Sequence, residues 1–522
     1  MAKIITARQA AELIPDGATV GVGGMGLSGW PEEVAQAIAS CYRETGRPKG
    51  LNIKQGSAMG DWRERGMTVL GIEGLATRWS GAHIGSAFAM NDLVRKNKMQ
   101  CHCLPQGAIV NLWREIAAKR PGILTKAGLG TFVDPRLGGG KMNDVTTDEL
   151  VELVTLLGEE YLLFKSFPLH VALLRGTTAD ENGNVTFEHE SVINEGLAIA
   201  EAAHNSGGIS IVQVEYLAQA GTLNPKDVRI PGILVDYVVL ATKQEACWQA
   251  EGIYFEPSFS GQLRKPLSAI PPIPLSERKF IARRCAMELR GGDVVNLGVG
   301  LATDVSNIVA EEKRVSYLTL TSEAGAIGGV PSPLPNFGSS YNPDATIDHG
   351  SMFDLIDGGG LDITVLGMGE ADQWGNVNVS KLGSRLTGPG GFINITQATN
   401  RLVFCGTLMN KSKSEIKDNE IRIVDQGAKR KFVSQVEQIT FSGKYARPEQ
   451  KILYVTERCV FQLINGKMTL IEIAPGIDLE KDILSQMDFV PAISEDLKVI
   501  DKSLLGESWG GLGEYIKNEQ GR

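Results

Sequence analysis

The sequence is poor in the side chains that build disulfide frameworks and metal sites. Its seven cysteines are an odd number and are scattered along the chain, which does not fit a disulfide framework. Cys101, His102 and Cys103 are adjacent, but no second cluster in the sequence supplies the remaining ligands of a zinc site. We therefore expect free thiols and no metal.

Long apolar runs and an excess of positive charge are also missing. The sequence has no apolar run of about 18 residues, so we expect no membrane span and a cytoplasmic protein. The formal net charge is -9 and the isoelectric point is near 5.4, which argues against nucleic acid or an anionic membrane as the main partner. A polyanionic small molecule is still compatible with these values, because a local pocket need not follow the net charge.

The motifs of histidine-based and serine-based catalysis are absent too. The six histidines show no HExxH spacing, and no GxSxG nucleophile elbow occurs. A mechanism without histidine is therefore favoured. Among the side-chain nucleophiles, a carboxylate is already ionised at neutral pH, with a reference pKa of about 4.3, and it needs no general base.

What the chain does have is length and a proline-rich interruption. Its 522 residues are too many for one ordinary hydrophobic core, so at least two domains are expected. Five prolines crowd the stretch PSFSGQLRKPLSAIPPIP, which can continue neither a helix nor a central strand. We place a linker at 257–276, between an N-terminal domain at 1–256 and a C-terminal domain at 277–522.

The two sides of this linker repeat one another. The stretch HVALLRGTTADENGNVTF from His170 aligns with DITVLGMGEADQWGNVNV from Asp362. A strand, Gly-rich turn and helix pattern from Gly17 resembles a second one from Gly292. Further strand-like runs alternate with helical stretches. The sequence therefore predicts an α/β fold of two related domains with mainly parallel sheets and flanking helices.

A carboxylate follows one of the strand-like runs. Glu323 lies in YLTLTSEAGAIGGVP, where an apolar run meets small residues and glycines. In sheets of this kind, ligands bind at the carboxyl ends of the strands. The corresponding positions of the first half, 55–57, hold no carboxylate. On these residues alone, Glu323 is either a turn or helix-capping residue or a functional group.

A Gly-rich turn in the first half offers a competing interpretation. Gly21, Gly23 and Gly26 spell GxGxxG, the dinucleotide fingerprint, which a nicotinamide enzyme would use. The next strand, however, ends in Lys54 and Gln55 instead of the acid that binds the ribose. We favour glycines that let the backbone approach another ligand.

Four motifs, spread over both halves, resemble the signatures of the family I CoA-transferases. GGMGLSGWPEE resembles the GGFGxxGxPE signature, with Met25 in place of the usual Phe. SEAGAIGG resembles the signature that holds the catalytic glutamate, with Ala324 where Asn is common. PQGAI and GPGGFINIT resemble two further active-site loops. The likeness covers nearly the whole chain, which is most similar to the single-chain propionate (short-chain acyl) CoA-transferases.

This resemblance implies the fold type and the reaction. Both domains would have the CoA-transferase (NagB/RpiA-like) fold. CoA would move from a short-chain acyl-CoA, such as propionyl-, acetyl-, butyryl- or lactoyl-CoA, to a free short-chain carboxylate, in a ping-pong sequence through a glutamyl-CoA thioester. CoA is then a substrate, no cofactor is required, and a homo-oligomer is expected. The alternatives are an acyl-CoA hydrolase on the same scaffold and an inactive CoA- or sugar-phosphate-binding module.

The resemblance also implies roles for individual residues. Glu323 would be the nucleophile. The oxyanion hole would consist of the side-chain amide of Gln106 and the backbone N–H of one of two glycines, Gly390 or Gly391. The acyl side would be lined by Gly23, Gly24, Met25 and Gly26. The CoA side would be lined by Asn296, Gly298, Gly300, Gly328 and Gly329.

Overall fold

A computed structural model of the chain describes residues 2–266 and 272–517. The strands of its N-terminal half are Lys3–Ile5 (β1), Thr19–Val22 (β2), Leu51–Ala58 (β3), Ala76–His83 (β4), Gln100–Cys103 (β5), Gly122–Thr125 (β6), Val151–Leu156 (β7), Glu159–Lys165 (β8), Val171–Arg175 (β9), Thr178–Asp180 (β10), Val185–Thr186 (β11), Ile209–Val214 (β12), Tyr216–Ala218 (β13), Val228–Ile230 (β14) and Tyr237–Leu240 (β15). Its α-helices are Ala7–Glu12 (α1), Glu32–Thr45 (α2), Phe88–Arg95 (α3), Gln106–Ala117 (α4) and Gly196–Asn205 (α5).

The C-terminal half contains the remaining elements. Its helices are Glu277–Ala286 (α6), Asp304–Glu311 (α7), His349–Asp357 (α8), Phe392–Ala398 (α9) and Leu512–Tyr515 (α10). Its strands are Val294–Leu297 (β16), Thr319–Thr321 (β17), Ala326–Ile327 (β18), Val330–Pro331 (β19), Ser340–Tyr341 (β20), Ala345–Thr346 (β21), Ile363–Gly367 (β22), Glu370–Asp372 (β23), Val377–Asn378 (β24), Lys381–Leu382 (β25), Arg385–Leu386 (β26), Arg401–Cys405 (β27), Met409–Asn410 (β28), Lys413–Lys417 (β29), Glu420–Asp425 (β30), Lys429–Arg430 (β31), Phe432–Val433 (β32), Lys451–Val455 (β33), Cys459–Ile464 (β34), Lys467–Ile473 (β35) and Ala492–Val499 (β36).

Each half is built around one large sheet. The first sheet has the order β1-β15-β12-β9-β2-β3-β4-β5, and all of its neighbouring strands run parallel. The second has the order β21-β18-β17-β16-β22-β27-β33-β34-β35-β36, with parallel pairing from β17 to β33. Antiparallel strands adjoin this parallel centre on both sides.

Helices cover both faces of each sheet. On the first sheet, one apolar cluster includes buried residues of α1, α2 and α3, and another includes those of α4 and α5. On the second sheet, α6 and α7 belong to one cluster, and α8 and α9 to the other. The predicted α/β fold with mainly parallel sheets and flanking helices is confirmed. None of the helices in residues 2–266 and 272–517 is long and apolar enough to cross a membrane.

The sequence repeat corresponds to a repeated turn. After β10, the carboxylate of Asp180 accepts hydrogen bonds from the main chain and the side chain of Asn184, at 2.9 and 3.0 Å. After β23, Asp372 accepts the same pair of bonds from Asn376, at 3.1 and 3.0 Å. The Asp-x-x-Gly-Asn segments of the two halves therefore fold in the same way and use the same partners.

The predicted linker 257–276 lies partly outside the described residues, because 267–271 are not described. Its described N-terminal part is packed against the C-terminal half. Phe259 is buried and lies 4.7 Å from the ring of Tyr341, and Asn342 exchanges hydrogen bonds with the main chain of Lys265. Residues 257–266 therefore behave as part of a folded unit rather than as a spacer. The domain boundaries themselves stay a prediction.

The two halves meet through α4 and α8. The guanidinium of Arg114 contacts Asp348 at 2.6 Å and Asp354 at 3.0 Å, and the amide of Asn111 donates to Asp354 at 2.8 Å. Near the start of α4, the main chain of Gly107 donates to Asn394 of α9. Because α4 follows β5 directly, these contacts bring the carboxyl edge of the first sheet against the second half.

Removing the carboxylate of the second repeated turn should destabilise the protein. In Asp372→Ala, the donors of Trp374 and Asn376 lose a buried charged acceptor, and we expect a loss of about 2 to 3 kcal/mol in the free energy of unfolding, measured by urea titration. The exposed Asp227 is the control, and Asp227→Ala should change stability by less than about 0.5 kcal/mol. Equal losses in the two variants would contradict the prediction.

Candidate active site

A tight turn at the carboxyl end of β17 holds Glu323. The carbonyl of Ser322 accepts the N–H of Gly325 at 3.0 Å, which places Glu323 and Ala324 at the two middle positions. Gly325 has φ +113°, and a Cβ there would lie 2.1 Å from the carbonyl oxygen of Ile347. Only glycine fits at that position. Glu323 is therefore a turn residue, and the turn projects it from the edge of the second sheet.

The carboxylate of Glu323 is almost removed from water. The residue is 8% exposed. Burial raises the pKa of Glu323 to about 7, while the neighbouring His349 and a hydrogen bond from the side chain of Gln106 act in the opposite direction. A carboxylate with so few water contacts is a stronger nucleophile than an exposed one, since it does not have to shed a hydration shell before it attacks.

Gln106 of the first half lies beside this carboxylate. It is the first residue of α4, directly after Pro105, and its side chain is buried. Its main-chain N–H donates to the carbonyl of Gly390 at 3.1 Å, and its amide nitrogen lies 2.8 Å from Nε2 of His349. The structure thus brings Gln106 and Glu323 together across the interface between the halves, as the sequence predicts.

The loop 388–391 approaches Glu323 from the other side, and its two candidate glycines differ. The N–H of Gly390 donates to the carbonyl of Ala82 at 2.9 Å and is therefore occupied. The N–H of Gly391 has no acceptor among the described residues. A Cβ at Gly391 would lie 2.6 Å from Oε2 of Glu323, so its backbone is in close contact with the carboxylate. Of the two glycines, Gly391 is the one whose N–H is free to serve the site.

The Gly-rich loop after β2 reaches the second half next to the nucleophile. Met25 is buried and packs against Val192 and Ala324, with Phe337 at the edge of this small apolar cluster. The loop has left-handed backbone at Gly24 and Gly26. The residues of this loop predicted to line the acyl side are Gly23, Gly24, Met25 and Gly26. Through Met25, the loop contacts the residue that directly follows Glu323.

The predicted CoA side divides into two groups. Asn296 lies near the carboxyl end of β16, which pairs in parallel with β17. Its Oδ1 is buried and has no partner among the described residues. Gly298 and Gly300 follow in the turn before α7, and the space next to Gly300 is open. These three positions share the sheet edge that carries Glu323.

Gly328 and Gly329 lie elsewhere. The N–H of Gly328 donates to the carbonyl of Leu320, which is set back from the carboxyl end of β17. Both glycines are packed against residues 341–344, and Gly329 lines a cavity of about 1030 Å³ between α7 and the described end of the linker. The β17–β18 hairpin folds this segment back along β17, and the role of these two glycines toward CoA stays a prediction.

Two buried residues of the site have no sequence signature. His349 begins α8 and touches Gln106, and its Nδ1 lies 2.9 Å from Oε2 of Glu195. Glu195 immediately precedes α5 in the first half. These residues are separated from one another by 154 positions, and no spacing rule connects them. The signal that would find them is the tertiary structure itself.

The zinc-like stretch Cys101, His102 and Cys103 lies in β5. Within residues 2–266 and 272–517, no group of three or more His, Cys, Asp and Glu side chains is arranged to hold a metal ion. Cys101 and Cys103 lie buried on one face of β5, and the ring of His102 contacts the carbonyl of Asp148 at 2.9 Å on the other. The Cys-His-Cys stretch is therefore divided between two faces of a strand.

Known proteins resemble the chain over nearly its whole length. A sequence model described as Coenzyme A transferase matches residues 4–241. The caffeate CoA-transferase of Acetobacterium woodii is 68% identical over 98% of this chain and 99% of its own length. The acetate CoA-transferase YdiF of Escherichia coli O157:H7 is 41% identical over 96% of this chain and 94% of its own.

Solved structures agree with these sequence relatives. The apoenzyme of the acyl-CoA transferase YdiF from Escherichia coli O157:H7 superposes with a TM-score of 0.93 at 40% identity, covering 98% of this chain and 97% of that one. The same enzyme as a thioester complex with CoA gives a TM-score of 0.92 with the same coverage. The chain therefore belongs to the Coenzyme A transferase family, and it transfers CoA between an acyl-CoA and a carboxylate.

Proposed function

We propose that the transfer runs through Glu323 as a covalent nucleophile in a ping-pong sequence. The observation that carries this proposal is the desolvated carboxylate of Glu323, which lies against the backbone of Gly391 and beside the amide of Gln106. A nucleophile and two oxyanion donors converge there.

The first half-reaction exchanges the acyl group and CoA on Glu323. A carboxylate oxygen of Glu323 attacks the thioester carbonyl, and the C–S bond breaks to release CoA thiolate and leave an acyl-glutamyl anhydride. The thiolate then attacks the glutamyl carbonyl, the anhydride C–O bond breaks, and the free acid departs from a glutamyl-CoA thioester. An incoming carboxylate reverses both steps. One thioester and one carboxylate replace another of each, so no energy source or cofactor is required.

Each addition produces a tetrahedral oxyanion, and its donors come from both halves. We assign the side-chain amide of Gln106 and the N–H of Gly391 to this role, since the N–H of Gly390 is occupied by Ala82. A single donor of this kind is typically worth about 3 to 4 kcal/mol in the transition state. A carboxylate is a weak nucleophile toward thioesters, and these donors would supply much of the acceleration.

The preferred acyl group is proposed from the activities of the sequence relatives. The caffeate enzyme shares 68% identity with this chain and the acetate enzyme 41%. We therefore propose an aromatic acrylate acid of the caffeate type as the preferred acyl group, ahead of the short-chain acids predicted from the sequence. Met25 supports this choice, because a flexible thioether accommodates different acyl shapes better than a phenyl ring. The homo-oligomer and the cytoplasmic location stay predictions.

The covalent intermediate can be trapped. After incubation with an acyl-CoA and then borohydride, which reduces the glutamyl thioester to an alcohol, we expect a mass change in the peptide that holds Glu323 and a loss of activity. The isosteric variant Glu323→Gln should show no mass change and no turnover while it still binds CoA. Glu495→Gln, at an exposed carboxylate of β36, is the control and should behave like the unmodified chain. Labelling of any other peptide would contradict the assignment.

The pH dependence should report the buried nucleophile. Because burial raises the pKa of Glu323 to about 7, kcat/KM should fall with the ionised fraction as the pH drops through 7 and should level off above it. In Gln106→Ala, a hydrogen bond that favours the ionised form is lost, so the midpoint should move to higher pH. A midpoint near pH 4 in the unmodified chain, the ordinary range of a glutamate, would show that burial does not raise the pKa of Glu323.

The acyl preference can be measured with a panel of acceptor acids. We expect kcat/KM for caffeate to exceed that for propionate and acetate. Met25→Phe should lower the caffeate value more than the acetate value, because the stiff ring narrows the wall beside Ala324. A kcat/KM tenfold higher for propionate than for caffeate would contradict this proposal and favour short-chain acids. Turnover without any acceptor acid would instead indicate a hydrolase.

A further inference from the structure

Behind the oxyanion hole lies a buried chain of polar side chains that crosses between the halves. Nε2 of Gln106 is 2.8 Å from Nε2 of His349, and Nδ1 of His349 is 2.9 Å from Oε2 of Glu195. Gln106 and His349 are each 1% exposed and Glu195 is 3% exposed. Gln106 and Glu195 belong to the first half and His349 to the second. The imidazole is thus held on both sides by the opposite half.

The chemistry of these groups fixes the direction of both hydrogen bonds. A carboxylate only accepts, so Nδ1 of His349 carries the proton that is donated to Glu195. In the neutral ring Nε2 is then an acceptor, and it takes an N–H of the Gln106 amide. One N–H of Gln106 is directed to His349, and a hydrogen bond from the same amide acts to lower the pKa of Glu323. The carboxylate of Glu195 therefore sets the tautomer of the ring, and the ring sets the orientation of the amide.

We propose that Glu195 and His349 are positioning residues that hold the amide of Gln106 toward the oxyanion formed at Glu323. The inference rests on the proposed roles of Glu323 and Gln106. A free glutamine amide has two orientations that differ by exchange of its oxygen and nitrogen, and only one presents a donor to an oxyanion. With an acceptor at Nε2 of His349, the productive orientation is the stable one before substrate arrives.

The first half makes room for Glu195 at a single glycine. Gly56 lies in β3, within the positions 55–57 that correspond by repetition to Glu323. A Cβ at Gly56 would lie 2.4 Å from Oε1 of Glu195 and 2.7 Å from a methyl group of Val110. Oε1 of Glu195 has no partner among the described residues. A side chain at position 56 would displace the carboxylate that orients the imidazole.

Packing alone does not account for this arrangement. A buried carboxylate and imidazole carry a desolvation cost that apolar side chains of the same size avoid, so stability by itself favours replacing them. A role in orienting a catalytic donor explains why polar groups occupy these positions.

Two substitutions of His349 separate its two contacts. An asparagine amide takes the place of Nδ1, so His349→Asn keeps a donor for Glu195 and leaves Gln106 without an acceptor. A glutamine amide takes the place of Nε2, so His349→Gln keeps an acceptor for Gln106. We expect His349→Asn to lower kcat by about 10- to 100-fold with KM for acyl-CoA unchanged within twofold, and His349→Gln to recover part of the loss. His204→Asn, at an exposed histidine of α5, is the control and should leave kcat unchanged.

Coupling to Gln106 is the readout that a purely structural role would not produce. If His349 acts through Gln106, His349→Asn should cost little in a Gln106→Ala background, so the two losses should not multiply. Multiplicative losses, together with equal effects of the Asn and Gln substitutions, would overturn the inference. Should His349→Asn fail to fold, Gly56→Ala and Glu195→Gln replace it, and each should lower kcat in the unmodified background but not in the Gln106→Ala background.

Failure of this inference differs from failure of the proposed function. If Glu323→Gln retains turnover, the nucleophile assignment is wrong, and so is the positioning role of Glu195 and His349. If Glu323→Gln is inactive while the losses at His349 and Gln106 multiply, the nucleophile stands and only the positioning role is wrong.

Discussion

Keeping one carboxylate out of water is the constraint on which the rest of the site depends. Burial disfavours the charged form of Glu323 and raises its pKa toward neutrality, so donors must face the carboxylate from outside its own turn. The turn has none to offer, because the N–H of Gly325 is bonded to the carbonyl of Ser322 and that of Ala324 to its hydroxyl. The donors therefore come from α4 of the other half and from the loop 388–391.

The two halves have kept a common architecture while dividing the chemistry. The Asp-x-x-Gly-Asn turn closes the same way in both, with the same pair of bonds to one asparagine. At the position of the nucleophile they differ: the second half has Glu323, and the first has Gly56, whose missing side chain leaves space for Glu195. Each half thus lacks what the other supplies, and neither contains a complete site.

The sequence is informative where chemistry depends on short segments. The repeat and the alternation of strands and helices predict two related α/β halves, and the motifs around Glu323 and Gln106 predict two residues that the structure places in contact. The sequence is uninformative about contacts between residues that only long-range folding brings together. His349 and Glu195 meet only through tertiary packing. The choice of Gly391 over Gly390 depends on a bond to Ala82, more than 300 residues away in sequence. The CoA role that the family resemblance implies for Gly328 and Gly329 stays a prediction, since the β17–β18 hairpin folds them back along β17.

The bond between Gly390 and Ala82 limits how the enzyme can move. The loop that carries Gly391 belongs to the second half by sequence, yet Ala82 and the N–H groups of Ile84 and Gly85 fasten it to the first. A hinge motion that parted the halves would break these bonds and dismantle the oxyanion hole. Any opening of the site that keeps its oxyanion donors in place must therefore leave the loop 388–391 attached to the first half.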